Sequence, residues 1–377
     1  MPRMFDILRN KVPQDEAGQP KDNEGKKEAV PENTAPTDNA QQAPAEQPLS
    51  FPKNIIATDK KQTVKEEDSS LLSKKLISAV RKYGVDNKDM AQEIYEGAVG
   101  IVNILLEKVR LREDLLLHIG KIEVLLDDIF NQLVLGDSIL DNIYVRKRGE
   151  YYLPYHITNV MVLSSVIGLK MGFNKSRLNH LGLAAIFYDI GMDSLREIAG
   201  QPRQLTEEEF ALIKTHISKS LKVTDTIPTI NDLVKETIRM HHECSSGKGY
   251  PRGIKSENIN PYAKIIGLAD TYEALTNSRP YRQGMSAHKA IRFLLVNAKD
   301  YFDPDVMKVF INKMSVYPIG SIVRLDTQEL ARVISVEPGS PLRPVVMIIR
   351  DASDEPLKEN IIIDLSNQDF PSIQDSV

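Results

Sequence analysis

Residues 155–170, YHITNVMVLSSVIGLK, set His156, Val160, Leu163 and Ile167 three or four positions apart, the spacing of one face of an α-helix. Residues 178–191, LNHLGLAAIFYDIG, form a second apolar helical stretch with Asp189 close to its end. Further on, His216 follows a helix start, His241 and His242 form an adjacent pair, and Asp270 ends the apolar run AKIIGLAD. These polar positions are separated by 33, 27, 25 and 28 residues, about one helix and one connection each. Successive helices can therefore each offer one polar group to a common point. The pattern predicts an all-α bundle, with no βαβ alternation.

The helical pattern extends outward from this centre, over about residues 70–315. Leu72, Leu76 and Val80 mark one face, and Ile94, Ala98, Ile101, Leu105 and Val109 mark a second. Gly84, Gly120, Gly136 and Gly149 read as punctuation between helices. Thr206 followed by Glu209 predicts a capping box, with Leu205 set to pack on Phe210. After Pro318 the chain turns to short β-branched runs at 321–325, 330–336, 345–349 and 361–365, predicting a small antiparallel β appendage packed on the bundle. Residues 11–68 are rich in Pro, Glu, Gln and Lys and cannot bury enough apolar surface to offset their ordering entropy. A disordered N-terminal arm is expected there. Met4, Phe5, Ile7 and Leu8 ahead of it read as a frayed terminus or a short docking helix. The resulting division is 1–69 arm, 70–147 helical region, 148–315 central domain and 316–377 appendage.

Composition narrows the function classes. The net charge is −4, which argues against bulk electrostatic binding of nucleic acid. No apolar run approaches the roughly 20 residues of a membrane span. The N-terminus lacks a signal-like apolar stretch, and Cys244 is the single cysteine, so a cytoplasmic location is expected.

A single histidine on an apolar face is more often a satisfied core residue than a ligand. Six such groups on neighbouring helices change that balance, because burying imidazoles and carboxylates without partners costs several kcal/mol each, on the order of the usual polar-burial penalties. Divalent ions satisfy them together, and mixed imidazole–carboxylate ligation suits Fe, Mn, Zn or Ni. A carboxylate such as Asp189 can bridge two ions, and an ion pair can activate water and clamp a phosphodiester. His118, His180 and His288 fall outside the spacing and read as structural.

The run HHECSSGKGYP at 241–251 resembles the HHExxxGxGYP signature of HD-GYP domains. Residues 265–282, IIGLADTYEALTNSRPYR, resemble that family's Asp and RPYR block; YDIGM at 188–192 stands where its HDIGK stands, and Phe302-Asp303-Pro304 also fits. These blocks keep the family's order across about residues 150–315. The resemblance implies an all-helical domain that hydrolyses cyclic di-GMP to pGpG or GMP at a centre of two or three metals. It implies His156, Asp189, His216, His241, His242 and Asp270 as ligands, for two divalent ions, Fe or Mn. It implies that Gly247, Gly249, Tyr250 and Pro251 line the nucleotide site, with Tyr250 against a guanine and Arg279 and Arg282 on phosphate. Without the resemblance, the two arginines read as a solvated helix end. Protein partners are expected through the arm or the appendage.

The departures carry equal weight. Tyr188 replaces the histidine of the HD pair, and Met192 replaces the following lysine. Tyr152 stands where three-metal members carry a glutamate, Glu150 points off that helix face, and Ser246 replaces an aspartate in the loop. Loss at Tyr152 argues against a third metal. Tyr188 could act as a phenolate ligand, placing it with Asp189 among the catalytic groups, or as a filler whose hydroxyl finds a neighbour. Three readings stay open: a slow phosphodiesterase, a degenerate cyclic di-GMP receptor or protein-interaction module, and an HD-type hydrolase of another nucleotide.

Overall fold

The structure, a computed structural model, describes residues 84–144, 151–314, 320–336, 342–367 and 371–376, with Lys82, Tyr317 and Ser340 as single positions. The expected disordered arm, the face at Leu72, Leu76 and Val80, and Gly149 and Glu150 lie outside the described residues.

Helix α1 (Lys88–Leu111) opens at Asn87, whose side chain accepts the backbone N–H groups of Asp89 and Met90, and closes at Arg112 in the left-handed region. Its buried stripe is Ile94, Tyr95, Ala98, Val102, Leu105 and Leu106, with Ile101 and Val109 partly covered at its margin. Helix α2 (Leu116–Leu135) runs straight through Gly120. The expectation of a break at Gly120 is therefore corrected. A lone glycine weakens a helix by only about 1 kcal/mol relative to alanine, and apolar residues on both sides hold this one together. Gly136 does end the helix.

Helix α3 (Tyr152–Lys170) is the axis of the bundle and packs on α1, on α4 (Lys175–Phe187) and on α9 (Pro261–Thr276). The sequence predicts an amphipathic helix here, but nearly every side chain from Tyr152 to Gly168 is buried, polar ones included. A helix surrounded on all sides has no polar face to display.

Between α4 and α9 the chain makes two 3-10 turns (Ile190–Leu195 and Ser256–Asn258) and four short helices: α5 (Arg196–Ala199), α6 (Glu207–Lys214), α7 (His216–Thr224) and α8 (Asp232–Met240). The capping box at Thr206 and Glu209 forms as expected. Helices α10 (Ala287–Tyr301) and α11 (Pro304–Lys313) close the bundle, α11 being capped by Asp303 of the Phe-Asp-Pro motif.

The appendage is an antiparallel sheet of β1 (Ile322–Leu325), β2 (Leu330–Ser335), β3 (Val345–Arg350), β4 (Pro356–Asp364) and β5 (Ile373–Ser376) in the order β4-β3-β2-β1-β5. Four of these strands are expected from the sequence. The fifth is too short and polar to be read there, and forms because β1 offers it an edge. Val323, Leu325, Ala331, Val333, Val346 and Ile348 alternate inward and join the apolar cluster of the helices. Among the described residues no helix is long and apolar enough to cross a membrane.

Candidate metal centre

Three helix ends and two helix interiors meet at one buried point. Helix α4 ends at Phe187, and Tyr188 and Asp189 follow directly. His216 opens α7, His241 and His242 close α8, and Asp270 sits inside α9 opposite His156 of α3. All six expected ligands are buried. They fall into two groups that share Asp189: Asp189, His216, His241 and His242 form one, and His156, Asp189 and Asp270 the other. In each group the offered ligand atoms lie within 4.8 Å of one another.

In the first group the backbone fixes the tautomers. Nδ1 of His216 donates to the Ile213 carbonyl at 2.7 Å, and Nδ1 of His241 donates to the Ile238 carbonyl at 2.6 Å. Each ring therefore turns an Nε2 lone pair inward, and the two Nε2 atoms stand 3.3 Å apart with no proton to share. Asp189 Oδ1 faces them at 3.2 and 3.9 Å and has no hydrogen-bond donor, while both ring nitrogens of buried His242 lack a partner. Burial, reinforced by the neighbouring imidazoles, lowers the pKa of His242 well below the ordinary value and that of His241 to about 4. Burial also lowers that of His216, against the opposing pull of Asp189. These rings are neutral at neutral pH, as ligands must be. Converging lone pairs without a donor are what a cation satisfies, so this donor set fits an ion.

The second group is satisfied differently. His156 Nε2 lies 3.1 Å from Asp270 Oδ1 and 3.4 Å from Asp189 Oδ2. Tyr188, fully buried, places its hydroxyl 2.8 Å from the same Nε2 and 3.2 Å from Asp270 Oδ1. The filler alternative for Tyr188 thus finds its neighbours inside the cluster. Burial and the carboxylates of Asp270 and Asp189 push the phenol's pKa well above its ordinary value, so the hydroxyl keeps its proton. On the outer side, Nδ1 of His156 donates to Glu273, which is ion-paired with Arg279. Burial alone lowers the pKa of His156, yet Glu273, Asp189 and Asp270 outweigh it and raise the pKa to about 10. With no ion bound, the three carboxylates would favour the protonated form of His156.

Two close approaches hold these groups in place. A side chain on Gly191 would meet the His216 carbonyl at 2.4 Å, and Ser220 ties the same corner by accepting the Gly191 N–H and donating to the Tyr188 carbonyl. A side chain on Gly249 would stand 2.5 Å from the backbone of residues 242–244. Glu243 accepts the N–H groups of Arg252, Gly253 and Ile254, folding the 247–251 loop back over the histidine pair. The Tyr250 ring stacks on His242, with centroids 4.7 Å apart and the planes inclined by 27°.

Arg279 and Arg282 both make contacts within the protein. Arg279 is buried, its guanidinium committed to Glu273 and stacked over Tyr152 at 4.7 Å. Arg282 donates to the carbonyls of Ala274 and Leu275 at the end of α9. Neither is a solvated helix end. His180 bonds Asn231, and His288 lies against Tyr317, both outside the two groups. The sequence reading also passed over Glu273 and Asn159. Each lies three residues beyond a ligand, Asp270 or His156, and so on the same helix face. Asn159 donates to Glu273 and accepts the Tyr95 hydroxyl at 2.7 Å, linking α1 to His156.

Residues 145–306 match the HD domain family. This is an HD domain. Residues 322–377 match the KOW domain associated with HD domain, which covers the sheet. The HD domain is homologous to cyclic di-GMP phosphodiesterases. The chain is 28% identical to cyclic di-GMP phosphodiesterase PA4108 of Pseudomonas aeruginosa over 63% of its length and 58% of that protein's. It is 29% identical to cyclic di-GMP phosphodiesterase PdeB of Borreliella burgdorferi over 59% of its length and 57% of that protein's. It is also 30% identical to the 3'3'-cGAMP-specific phosphodiesterase 1 of Vibrio cholerae, over 46% of its length and 40% of that protein's. The chain thus spans less than two thirds of these relatives. Among solved structures, Bd1817, a HDG"Y"P protein from Bdellovibrio bacteriovorus, aligns with TM-score 0.48 at 18% identity, covering 66% of this chain and 80% of that one.

Proposed function

We propose that the HD domain, residues 148–315, hydrolyses cyclic di-GMP to pGpG or GMP with divalent ions held by His156, Asp189, His216, His241, His242 and Asp270. The observation that carries the proposal is the convergence of two inward Nε2 lone pairs, Asp189 Oδ1 and one nitrogen of His242, whose ring has no hydrogen-bond partner, on one buried point. Bound ions, Fe or Mn, supply Lewis acidity toward a phosphodiester and its attacking water. Asp189 is placed to span both groups, one oxygen toward each. His216 and His241 hold their lone pairs in fixed directions through their carbonyl bonds. Tyr188 keeps a proton close to Asp270 and His156, where it competes with a second ion. The 247–251 loop presents Tyr250, braced by Glu243, as the wall against which a base can lie.

The contest at Tyr188 favours a second reading, a receptor that binds the dinucleotide and turns it over slowly or not at all. Both readings place the protein in the cytoplasm, with the arm (1–69) and the appendage (316–377) available to protein partners.

The test uses anaerobically purified protein loaded with Fe²⁺ or Mn²⁺, incubated separately with cyclic di-GMP and 3'3'-cGAMP, with products followed by chromatography. Appearance of pGpG or GMP, lost in Asp189→Ala, supports the enzyme. Intact nucleotide that is nevertheless bound by the loaded protein supports the receptor. Preferential cleavage of 3'3'-cGAMP would replace the substrate while keeping the chemistry.

A further inference from the structure

We infer that Lys214 is the cation that meets substrate phosphate in this domain. The inference rests on the phosphodiester reading above and names a residue that reading does not contain. Phosphate recognition beside an ion site calls for a positive group, and the arginines and Lys264 around this centre are engaged. Arg279 is paired with Glu273, Arg282 with the carbonyls ending α9, Arg252 with Glu236, Arg110 with Asp193 and Lys264 with Asp303. Met192, on the wall below Asp189, is buried and uncharged.

Lys214 differs from all of these. It is the last residue of α6, two positions before His216, so the helix that delivers a ligand also delivers its ammonium. The side chain is half-buried, and among the described residues no carboxylate pairs with it. Its Nζ lies 4.6 Å from the Phe210 ring centre and 4.9 Å from the Tyr250 ring centre. Tyr250 in turn stacks on His242. The ammonium is therefore held by two aromatic faces one ring away from a proposed ligand. Contact with π faces orients a lysine without neutralising it, so its charge and donors stay available to an anion. A dinucleotide entering beside Tyr250 would meet that ammonium with its phosphate.

The test compares wild type with Lys214→Met and Lys214→Arg, all loaded with Mn²⁺. Ion content and melting temperature are measured first. Binding of fluorescent cyclic di-GMP is then measured at two salt concentrations, alongside KM and kcat where turnover is seen. A lost charge-assisted contact predicts that Lys214→Met weakens binding about tenfold or more, with ion content unchanged and a flatter salt dependence. Lys214→Arg should restore most of the affinity. Binding by Lys214→Met within twofold of wild type would overturn the role of Lys214 and leave the phosphodiester reading standing. Failure of the loaded wild type itself to bind the dinucleotide would overturn both.

Discussion

Tyr188 is the residue on which the chemistry of this domain turns. Its hydroxyl sits between His156 and Asp270, where it completes a hydrogen-bonded set that needs no ion. The first group has no such internal solution. An ion at the first group should therefore resist chelation, while one at the second exchanges readily. Replacing Tyr188 with histidine removes the competing hydroxyl and adds an imidazole. Tyr188→His should raise the number of ions retained through desalting, by elemental analysis, and increase turnover about tenfold or more, in line with the worth of added charge stabilisation. Equal ion content and equal rate in the variant would remove Tyr188 from the account. The sequence announced that this position is altered. It did not announce where the hydroxyl points, because that depends on α3 and α9 arriving from 32 and 82 residues away.

At the scale of the elements, the helices were legible because their apolar spacing is regular, and the candidate ligands because they recur about one helix and one connection apart. The connections between helices were not. Arg110 of α1 makes two hydrogen bonds of 3.0 Å to Asp193, in the turn that follows Asp189, across 83 residues of sequence. Tyr95 of the same helix reaches His156 through Asn159 and Glu273. Helix α1 therefore braces the centre from two sides, and nothing in its own periodicity says so. Arg110→Ala leaves the buried Asp193 carboxylate without its partner and should lower stability by about 1–3 kcal/mol, seen as a drop of several degrees in melting temperature. The neighbouring corner is less forgiving. Gly191→Ala would press a methyl group onto the His216 carbonyl, so soluble yield should fall more than for Arg110→Ala. A Gly191→Ala protein as stable as wild type would show that the α4–α7 contact yields easily.

For the whole molecule, the metal-free centre makes stability depend on pH in both directions. His241 has a folded pKa of about 4, below the 6.5 of an ordinary histidine, so the unfolded chain takes up its proton first. Its effect is to lower stability as pH falls from 6.5 toward 4. His156 has a folded pKa of about 10, so it contributes stability below pH 6.5 that is lost as pH rises toward 10. Urea melts of the chelated protein between pH 4 and pH 10 should therefore peak near neutrality. Loading with metal should raise the curve according to ion affinity and concentration. A flat profile without metal would mean that the cluster relaxes when empty.

All of this rests on one property, that the buried lone pairs of Asp189, His216, His241 and His242 hold a cation. Calorimetric titration of Mn²⁺ into chelator-stripped protein measures it directly, with His241→Ala as the control. At least one ion per chain should bind at micromolar affinity or tighter, with proton release small near neutral pH at the first group because its rings are already neutral. That binding should be lost in the variant. Absence of binding by folded wild-type protein, or equal binding by His241→Ala, would contradict it.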